Sequence, residues 1–597
     1  MAIIDVSKFL SYKYDYIIVG GGTAGLLVAA RLTENPNICV GVIEAGESKA
    51  GDTNIDSPAQ LGNTLHNPEY DWMYHSTPQA GTNYRVHHVP RGKLLGGSSG
   101  INYMAYCRPA AQDIDLWENL GNKGWSWAEL QPCYLRSESI DESGQGKPAQ
   151  KSDIYNIHPD SHGHLGPVKT SFPYRREPYE DRMIDAFDEI SGVSRPDDPW
   201  NGAPLGQYGR LSTVDREHGP SRSYSASAFL APNLRRENLK ILEYATACKI
   251  MLDVATLTAY GVELLCAGGT YQVFANEIIL SAGSIGSPQI LELSGIGDPE
   301  ILSNNAIECV LALPEVGKNL QEHPMTSLTY ALDMSRSPHS DLHLSNEYQE
   351  CETSDGESLM AFLPYPGLVS PAELSETISQ IRDYTWLAEP ERESIISRLQ
   401  DPSSGDVQFN GTAMYIDIES GHGNQSKLVR NVSGDKYTYY TYLVTITNTM
   451  SRGSTHIKSA DPRMAPSIDL GLLNAPTDVD LLAAGLQFVD RVFSSKHISD
   501  QVVERVVPRP GIDLGDRKQA RQFVRNWTTS FNHALGTCSM GRVVDERLRV
   551  KGCHRLRVVD ASVIPTMISG NVMATVYAVA EKASDILKED LDSSRVG

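Results

Sequence analysis

Long apolar runs are missing from this chain of 597 residues: no stretch approaches the roughly 20 apolar residues that a membrane-spanning helix needs. Positive charge is in short supply too, with 52 Lys and Arg against 74 Asp and Glu and a formal net charge of −22. That balance argues against nucleic acid or an anionic membrane surface as a partner. Cysteine occurs nine times, an odd number, scattered from Cys39 to Cys553 with no C-x-x-C pair. Such spacing fits reduced thiols better than a disulfide framework. The opening stretch, MAIIDVSKFLSYKYDYIIVGGG, lacks a basic segment followed by a long apolar run, so an intracellular, cytoplasmic protein without a signal peptide is expected. Internal repeats and low-complexity tracts are absent. What remains, 40% hydrophobic and 21% charged, is the composition of a soluble globular protein long enough for two domains.

What is present begins close to the amino end. In YDYIIVGGGTAGLLVAARLTENPNICVGVIEAGES, Tyr16 to Val19 is a short β-branched, apolar run suited to a buried parallel strand. Gly20, Gly22 and Gly25 follow as G-x-G-x-x-G and lead into an apolar helix from about Thr23 to Thr33. The three glycines serve a tight turn, close approach of backbone to a pyrophosphate, and close helix–strand packing. The helix N-terminus offers free N–H groups and the positive end of its dipole to phosphate. A second strand, Val40 to Ile43, ends in Glu44, 19 residues beyond Gly25, where a carboxylate can accept the ribose hydroxyls of an adenosine. Together these predict a dinucleotide-binding βαβ unit, and they do not choose between NAD and FAD.

A second glycine segment, RGKLLGGSSGINYMAYCRPAAQDIDLW from Arg91, places Gly96, Gly97, Ser98 and Ser99 where backbone can approach a flat or charged ligand. A third, AGSIGSPQILELSGIG from Ala282 to Gly297, follows the strand-like EIILS of Glu277 to Ser281. Gly92 through Asp115 and Gly283 through Gly297 resemble the two signature patterns of the glucose–methanol–choline family of FAD-dependent oxidoreductases. VGKNLQEHP (316–324), SRGSTHIKSADP (451–462), HALGTCSMG (533–541) and LRVVDASVIPTMISGNVMATVYAVAEKASD (556–585) continue the resemblance in the family's order over nearly the whole chain.

The resemblance implies an α/β fold, α+β overall: a Rossmann-like FAD-binding domain and a substrate-binding domain built on an antiparallel sheet flanked by helices. The FAD-binding pieces would be 1–157, 206–325 and 531–597, and the substrate-binding pieces 158–205 and 326–530. The residues agree in part, since DVQFNGTAMYIDI (406–418) and YTYYTYLVTITNTM (437–450) are β-branched and aromatic runs suited to antiparallel strands. Residues 335–357 and 370–405 are polar, Ser/Glu-rich and partly helical in character. By resemblance the FAD contacts are Gly20, Gly22, Thr23, Ala24, Gly25, Glu44, Ala45, Arg91, Gly92, Gly96, Gly97, Ser98, Asn102, Tyr103, Met104, Ala105, Ala247, Asp560, Ala561, Val572 and Met573. Some relatives attach FAD through a histidine just before the position of Asn102; Ile101 stands there, so non-covalent FAD is expected.

His533, beside Cys538 and Met540, admits three readings: metal ligand, catalytic base, or packed core residue. No ligand cluster with metal spacing accompanies it, and Cys538 and Met540 read as packing. Oxidising an alcohol requires a proton acceptor near the hydroxyl, and histidine, with an ordinary pKa of about 6.5, suits that task. The resemblance places His533 at the family's active-site histidine and Asn571 at the second active-site position. The expectation is that His533 is the base while Asn571 positions the alcohol oxygen, with hydride passing to flavin N5 and electrons to oxygen or another acceptor. Asn571 is also expected to open a helix of about 15 residues, its dipole favouring negative charge on the flavin. Ala534 departs from the family, where proline or glycine is usual. The adjacent His87 and His88 read as structural. The competing reading is a non-redox lyase or cyclase on the same flavoprotein fold. No metal is called for, the oligomeric state is left open, and the substrate is a small-molecule alcohol, natural-product tailoring being one setting.

Overall fold

The computed structural model describes every residue except 1, 61, 142–151, 174–178, 218, 334–356, 431, 433–434 and 597. Its first sheet grows around Tyr14–Val19, an aromatic and β-branched strand that pairs in parallel with Val40–Ile43 on one side and with the end of Gly269–Leu280 on the other. Leu239–Leu242 extends the sheet beyond Val40–Ile43, and Leu556–Val558 joins the far side of Gly269–Leu280, both in parallel. The rest of Gly269–Leu280 turns back on Thr258–Cys266, which pairs with Ala245–Asp253, and both of these ladders are antiparallel. The helices Thr23–Leu32 and Met573–Val596 lie against each other, and both contribute to the core that includes the strand residues Ile17, Ile18 and Val42.

Gly25 explains how the first helix sits so close to its strand. A Cβ on Gly25 would stand 2.0 Å from the Gly20 carbonyl oxygen, so any side chain would push the helix off the turn. The strand and helix expected from Tyr16 and Thr23 appear as Tyr14–Val19 and Thr23–Leu32, and the second strand is Val40–Ile43.

The second sheet is antiparallel throughout, in the order Val502–Val507, Pro324–Leu332, Thr438–Ile446, Val407–Thr412, Glu357–Leu363, Gly206–Gly209, with Thr528–Ser530 also on Pro324–Leu332. The β-branched runs 406–418 and 437–450 thus meet as neighbouring strands. Helix Pro476–Phe493 covers this sheet, with Phe488 against Phe409 and Phe187, and Phe493 stacked on Tyr330 at 4.1 Å. Two details depart from the expected segments. Gly206–Gly209, grouped with the FAD-binding pieces, hydrogen-bonds into the second sheet, and Pro324–Leu332 runs across the 325/326 division as one strand. Within 370–405 the structure has helices Pro371–Arg382, opened by a Ser370–Glu373 capping box, and Glu389–Gln400. Of the polar stretch 335–357, all but its last residue lies outside the described residues. Among those described, no helix is long and apolar enough to cross a membrane.

One junction between the two sheets positions the site. The segment after Thr528–Ser530 runs antiparallel to the segment before Pro324–Leu332: Gln321 and Leu535 exchange both backbone hydrogen bonds at 3.0 Å, and Phe531 N–H donates to the His323 carbonyl at 2.9 Å. Two residues from the Gln321–Leu535 bridge, His323 and His533 stand opposite each other.

Candidate active site

A cavity of about 380 Å³ runs between the sheets, within the usual size of a small-molecule site. Gly20, Gly22, Thr23, Ala24, Glu44 and Ala45 line one end, with Ala247 beside them on the Ala245–Asp253 strand. Arg91, Gly92, Gly97, Ser98, Asn102, Tyr103, Met104 and Ala105 line it further along, together with Asp560, Ala561, Asn571, Val572, Met573 and His533. Gly25 and Gly96 do not line it. Gly25 serves helix packing, and a Cβ on Gly96 would meet the Tyr224 ring at 2.6 Å, so that glycine makes room for an aromatic side chain instead of a ligand.

The glycine turns fit a phosphate-bearing ligand. A Cβ on Gly22 would have no protein atom nearer than 3.9 Å and would project into the cavity, whereas one on Gly97 would stand 2.8 Å from Gly22 Cα. The two turns therefore face each other across bare backbone. Glu44 holds the turn from below: its carboxylate accepts from Gly21 N–H at 2.8 Å and Gly46 N–H at 2.9 Å, and burial pushes it up to about 7. Each oxygen retains a lone pair for a hydroxyl donor. Asp560 ties the end of Leu556–Val558 to the start of helix Gly283–Leu293, accepting from Gly283 N–H at 2.9 Å and Ser287 Oγ at 2.6 Å.

At the other end, His533 is buried with its two ring nitrogens committed differently. Nδ1 is 2.8 Å from His323 Nδ1, and Nε2 is 3.2 Å from Asn571 Nδ2. Its backbone N–H donates to Glu322 Oε1 at 2.7 Å. Burial, then His323 and then Arg91, hold the His533 pKa well below its ordinary value. The neutral, proton-accepting form is therefore the resting one. Burial likewise pushes Glu322 up to about 7, against the pull of Arg91 and backbone N–H groups. Arg91 donates to the Asn532 carbonyl at 2.9 Å. Asn571 Oδ1 is buried with no hydrogen-bond partner among the described residues, leaving an acceptor at the cavity beside His533. The helix beyond it spans Met573–Val596, longer than expected and starting two residues after Asn571, so Asn571 stands outside the helix and does not open it. The run of Ala, Glu, Lys and Leu from Ala578 carries the helix through residues of high helical propensity.

The wall near His533 comes from the second sheet and its loops: Met325, Met414, Ile416, Leu428, Leu443 and Phe531. None of these was singled out in the sequence, because a strand residue facing a cavity and one facing a core share the same alternation. Of Tyr437, Tyr439, Tyr440 and Tyr442, none lines the cavity; Tyr440 and Tyr442 pack edge-on in the core at 5.4 Å. His87 and His88 are buried away from it, with His87 Nε2 at 2.8 Å from Thr82 Oγ1 and His88 Nε2 at 2.9 Å from Asp71. His323 and Glu322 were missed as individuals. Their only signal was NLQEHP, a polar run ending in His-Pro just before an apolar strand. Among the described residues, no group of three or more His, Cys, Asp or Glu could hold a metal ion.

Comparisons with known proteins point one way. Two family models, each described as GMC oxidoreductase, match residues 14–325 and 449–580. The chain is 45% identical to dehydrogenase mpl7 of Monascus purpureus and to dehydrogenase citC of Monascus ruber, covering in each case 100% of this chain and 99% of the relative. Among solved structures, an FAD-dependent oxidoreductase from Chaetomium thermophilum is similar with a TM-score of 0.83 at 26% identity, over 97% of this chain and 100% of that one.

Proposed function

Because the chain belongs to the GMC oxidoreductase family and is an FAD-dependent oxidoreductase, we propose that it oxidises the CH–OH group of an apolar alcohol, with His533 taking the hydroxyl proton. The observation that carries this reading is the neutral, buried His533 with Nε2 and the Asn571 amide together at the cavity, 3.2 Å apart. FAD, when bound, supplies the acceptor for the hydride that leaves the carbinol carbon. Gly20, Gly22, Thr23 and Gly97 would hold its phosphates, Glu44 its ribose, and the turn from Ser98 to Ala105 with Asp560 to Met573 the rest. The bare backbone at Gly22 and Gly97 and the free lone pairs of Glu44 support that fit. Ile101, a hydrocarbon side chain lining the cavity, cannot form a bond to the cofactor, which supports non-covalent attachment.

In the reaction the chain's residues bind, orient and hold a proton. Asn571 donates to the alcohol oxygen and holds the hydroxyl hydrogen toward the bare His533 Nε2; that nitrogen takes the proton as the carbon loses hydride, so the alcohol leaves as a carbonyl compound. Met325, Met414, Ile416, Leu428, Leu443 and Phe531 exclude water and favour an apolar substrate body over a charged one. The electron pair leaves the protein to oxygen or another acceptor.

Anaerobic mixing of the holoenzyme with a panel of aryl, alkyl and sugar alcohols tests this. Bleaching of the flavin absorbance by aryl or alkyl alcohols is the expected result. Product formation with the flavin oxidised throughout would instead favour the lyase or cyclase chemistry, for which neither the relatives' names nor the site offers support.

A further inference from the structure

His323 has no part in the reaction so far, yet it touches the base more closely than Asn571 does. It is fully buried, immediately before strand Pro324–Leu332, and its two ring nitrogens face different partners. Nε2 lies 3.3 Å from the backbone carbonyl oxygen of Thr447, and Nδ1 lies 2.8 Å from His533 Nδ1. The two rings meet edge to face, 78° apart.

We propose that His323 is a positioning residue that sets the tautomer of His533, keeping the His533 proton on Nδ1 so that the lone pair of Nε2 faces the cavity. This rests on His533 being the base. The direction of the whole chain follows from its far end. Two backbone carbonyls, those of Thr447 and Ile568, act on the His323 ring, and the one at hydrogen-bond distance from a ring nitrogen is Thr447; a carbonyl oxygen carries no proton, so in that contact the donor is His323 Nε2–H. A neutral imidazole has one N–H, so His323 Nδ1 is then an acceptor. Two bare nitrogens do not hold 2.8 Å apart, so the hydrogen between the rings belongs to His533 Nδ1. Neutral His533 then has its lone pair on Nε2, the nitrogen beside Asn571. A doubly protonated His323 would escape this logic, but its burial holds it down to about 4.

The arrangement also answers a chemical need. Were the proton on Nε2, the ring would present N–H to the substrate hydroxyl and could take nothing from it. With Nε2 bare, Asn571 Nδ2–H donates to it until an alcohol arrives, which explains why the Asn571 amide nitrogen faces the ring and its oxygen is left unpartnered. After proton transfer, His533 carries both N–H groups, and the Nδ1–H bond to His323 becomes charge-assisted. Thr447 thus fixes the base through two rings without touching the substrate.

Neutron diffraction from crystals of the deuterated holoenzyme tests the tautomers directly. Deuterium is expected on His323 Nε2 and His533 Nδ1 and none on His533 Nε2; deuterium on His533 Nε2, with His323 Nδ1 as donor, overturns the proposal. This measurement involves no turnover, so it stands apart from the base assignment, which fails separately if removing the His533 ring leaves flavin reduction intact. A variant pair adds the functional arm. His323→Leu removes the acceptor and should lower the flavin-reduction rate at saturating alcohol about 10–100-fold, the loss seen when the hydrogen-bond partner that orients a metal-bound histidine is removed, with KM changed by less than about threefold and FAD retained. His323→Asn offers its Oδ1 where Nδ1 stood and should recover the rate to within about fivefold of the wild type. Equal losses in both FAD-loaded variants, or none in His323→Leu, would mean that the acceptor is not what matters. If His323→Leu fails to load FAD, the deuterium positions still decide.

Discussion

The two ends of the cavity are built from opposite materials. Around Gly20, Gly22 and Gly97 the lining is backbone, and what matters is the absence of side chains. Around His533 the lining is side chains, Met325, Met414, Ile416, Leu428, Leu443 and Phe531 with the paired rings, mostly from the antiparallel sheet and its loops. A backbone site tolerates almost no substitution, because a Cβ either strikes neighbouring backbone, as at Gly20 and Gly97, or fills the open space at the turn, as at Gly22, and so it leaves a fixed spacing in the sequence. A side-chain wall tolerates exchange among apolar residues of similar volume and leaves none.

That contrast can be broken by experiment. The largest effect should come from Gly22→Val, which puts two methyl groups into the open space at the turn: the purified protein should carry no FAD, read from its absorbance spectrum, and full loading would mean that the turn is not the phosphate seat. His533→Ala should retain FAD but lower the flavin-reduction rate about 10²–10⁴-fold, the span of a general base. Stopped-flow measurement of an unchanged rate would remove His533 from that role. At the apolar wall, Met414→Ala should raise KM for an apolar alcohol about tenfold, since burying such a side chain is worth about 1.5–3 kcal/mol and this one is only partly buried, while FAD binding stays as it was. A matching loss of FAD would show that the two ends are not separable.

The smallest effect concerns pH. A base whose pKa lies well below 6.5 remains in its neutral, active form as pH falls through 6.5, so the acid limb of kcat/KM should lie well below that value and His533 should contribute no change between pH 6.5 and 8. An ordinary histidine would lose half its active form at 6.5. An acid limb at or above 6.5, measured from pH 4 to 9, would contradict the buried, charge-excluding setting of His533.

The first sheet was readable because its strand, turn and helix are contiguous and each step has a local cause: β-branched residues from Ile17 to Val19, a left-handed Gly20 at φ +104°, and an uncapped helix start at Thr23. The antiparallel sheet was readable only as strand-forming runs. Alternation says that Tyr440 and Tyr442 face one way, not that this way is the core, and it gave no reason to choose Met414 over either for the cavity. The helix after Asn571 was expected too short, since nothing in EKASDILKED marks an end, and its start two residues later depends on how the Gly570 turn is held.

The histidines draw the final distinction. Composition and spacing were enough to read a dinucleotide turn at Gly20 to Gly25 and an acid at Glu44, and the resemblance added the expectation of a base at His533. They favoured neither the adjacent pair, His87 and His88, nor the separated pair, His323 and His533, as the one that meets ring to ring. Neighbours on an extended chain point to opposite faces, so His87 and His88 go to Thr82 and Asp71. Residues 210 apart become neighbours only when two segments align, and the Gln321–Leu535 bridge does that. The tautomer proposed for His533 rests on the Thr447 carbonyl, and the fold alone brings that carbonyl to His323.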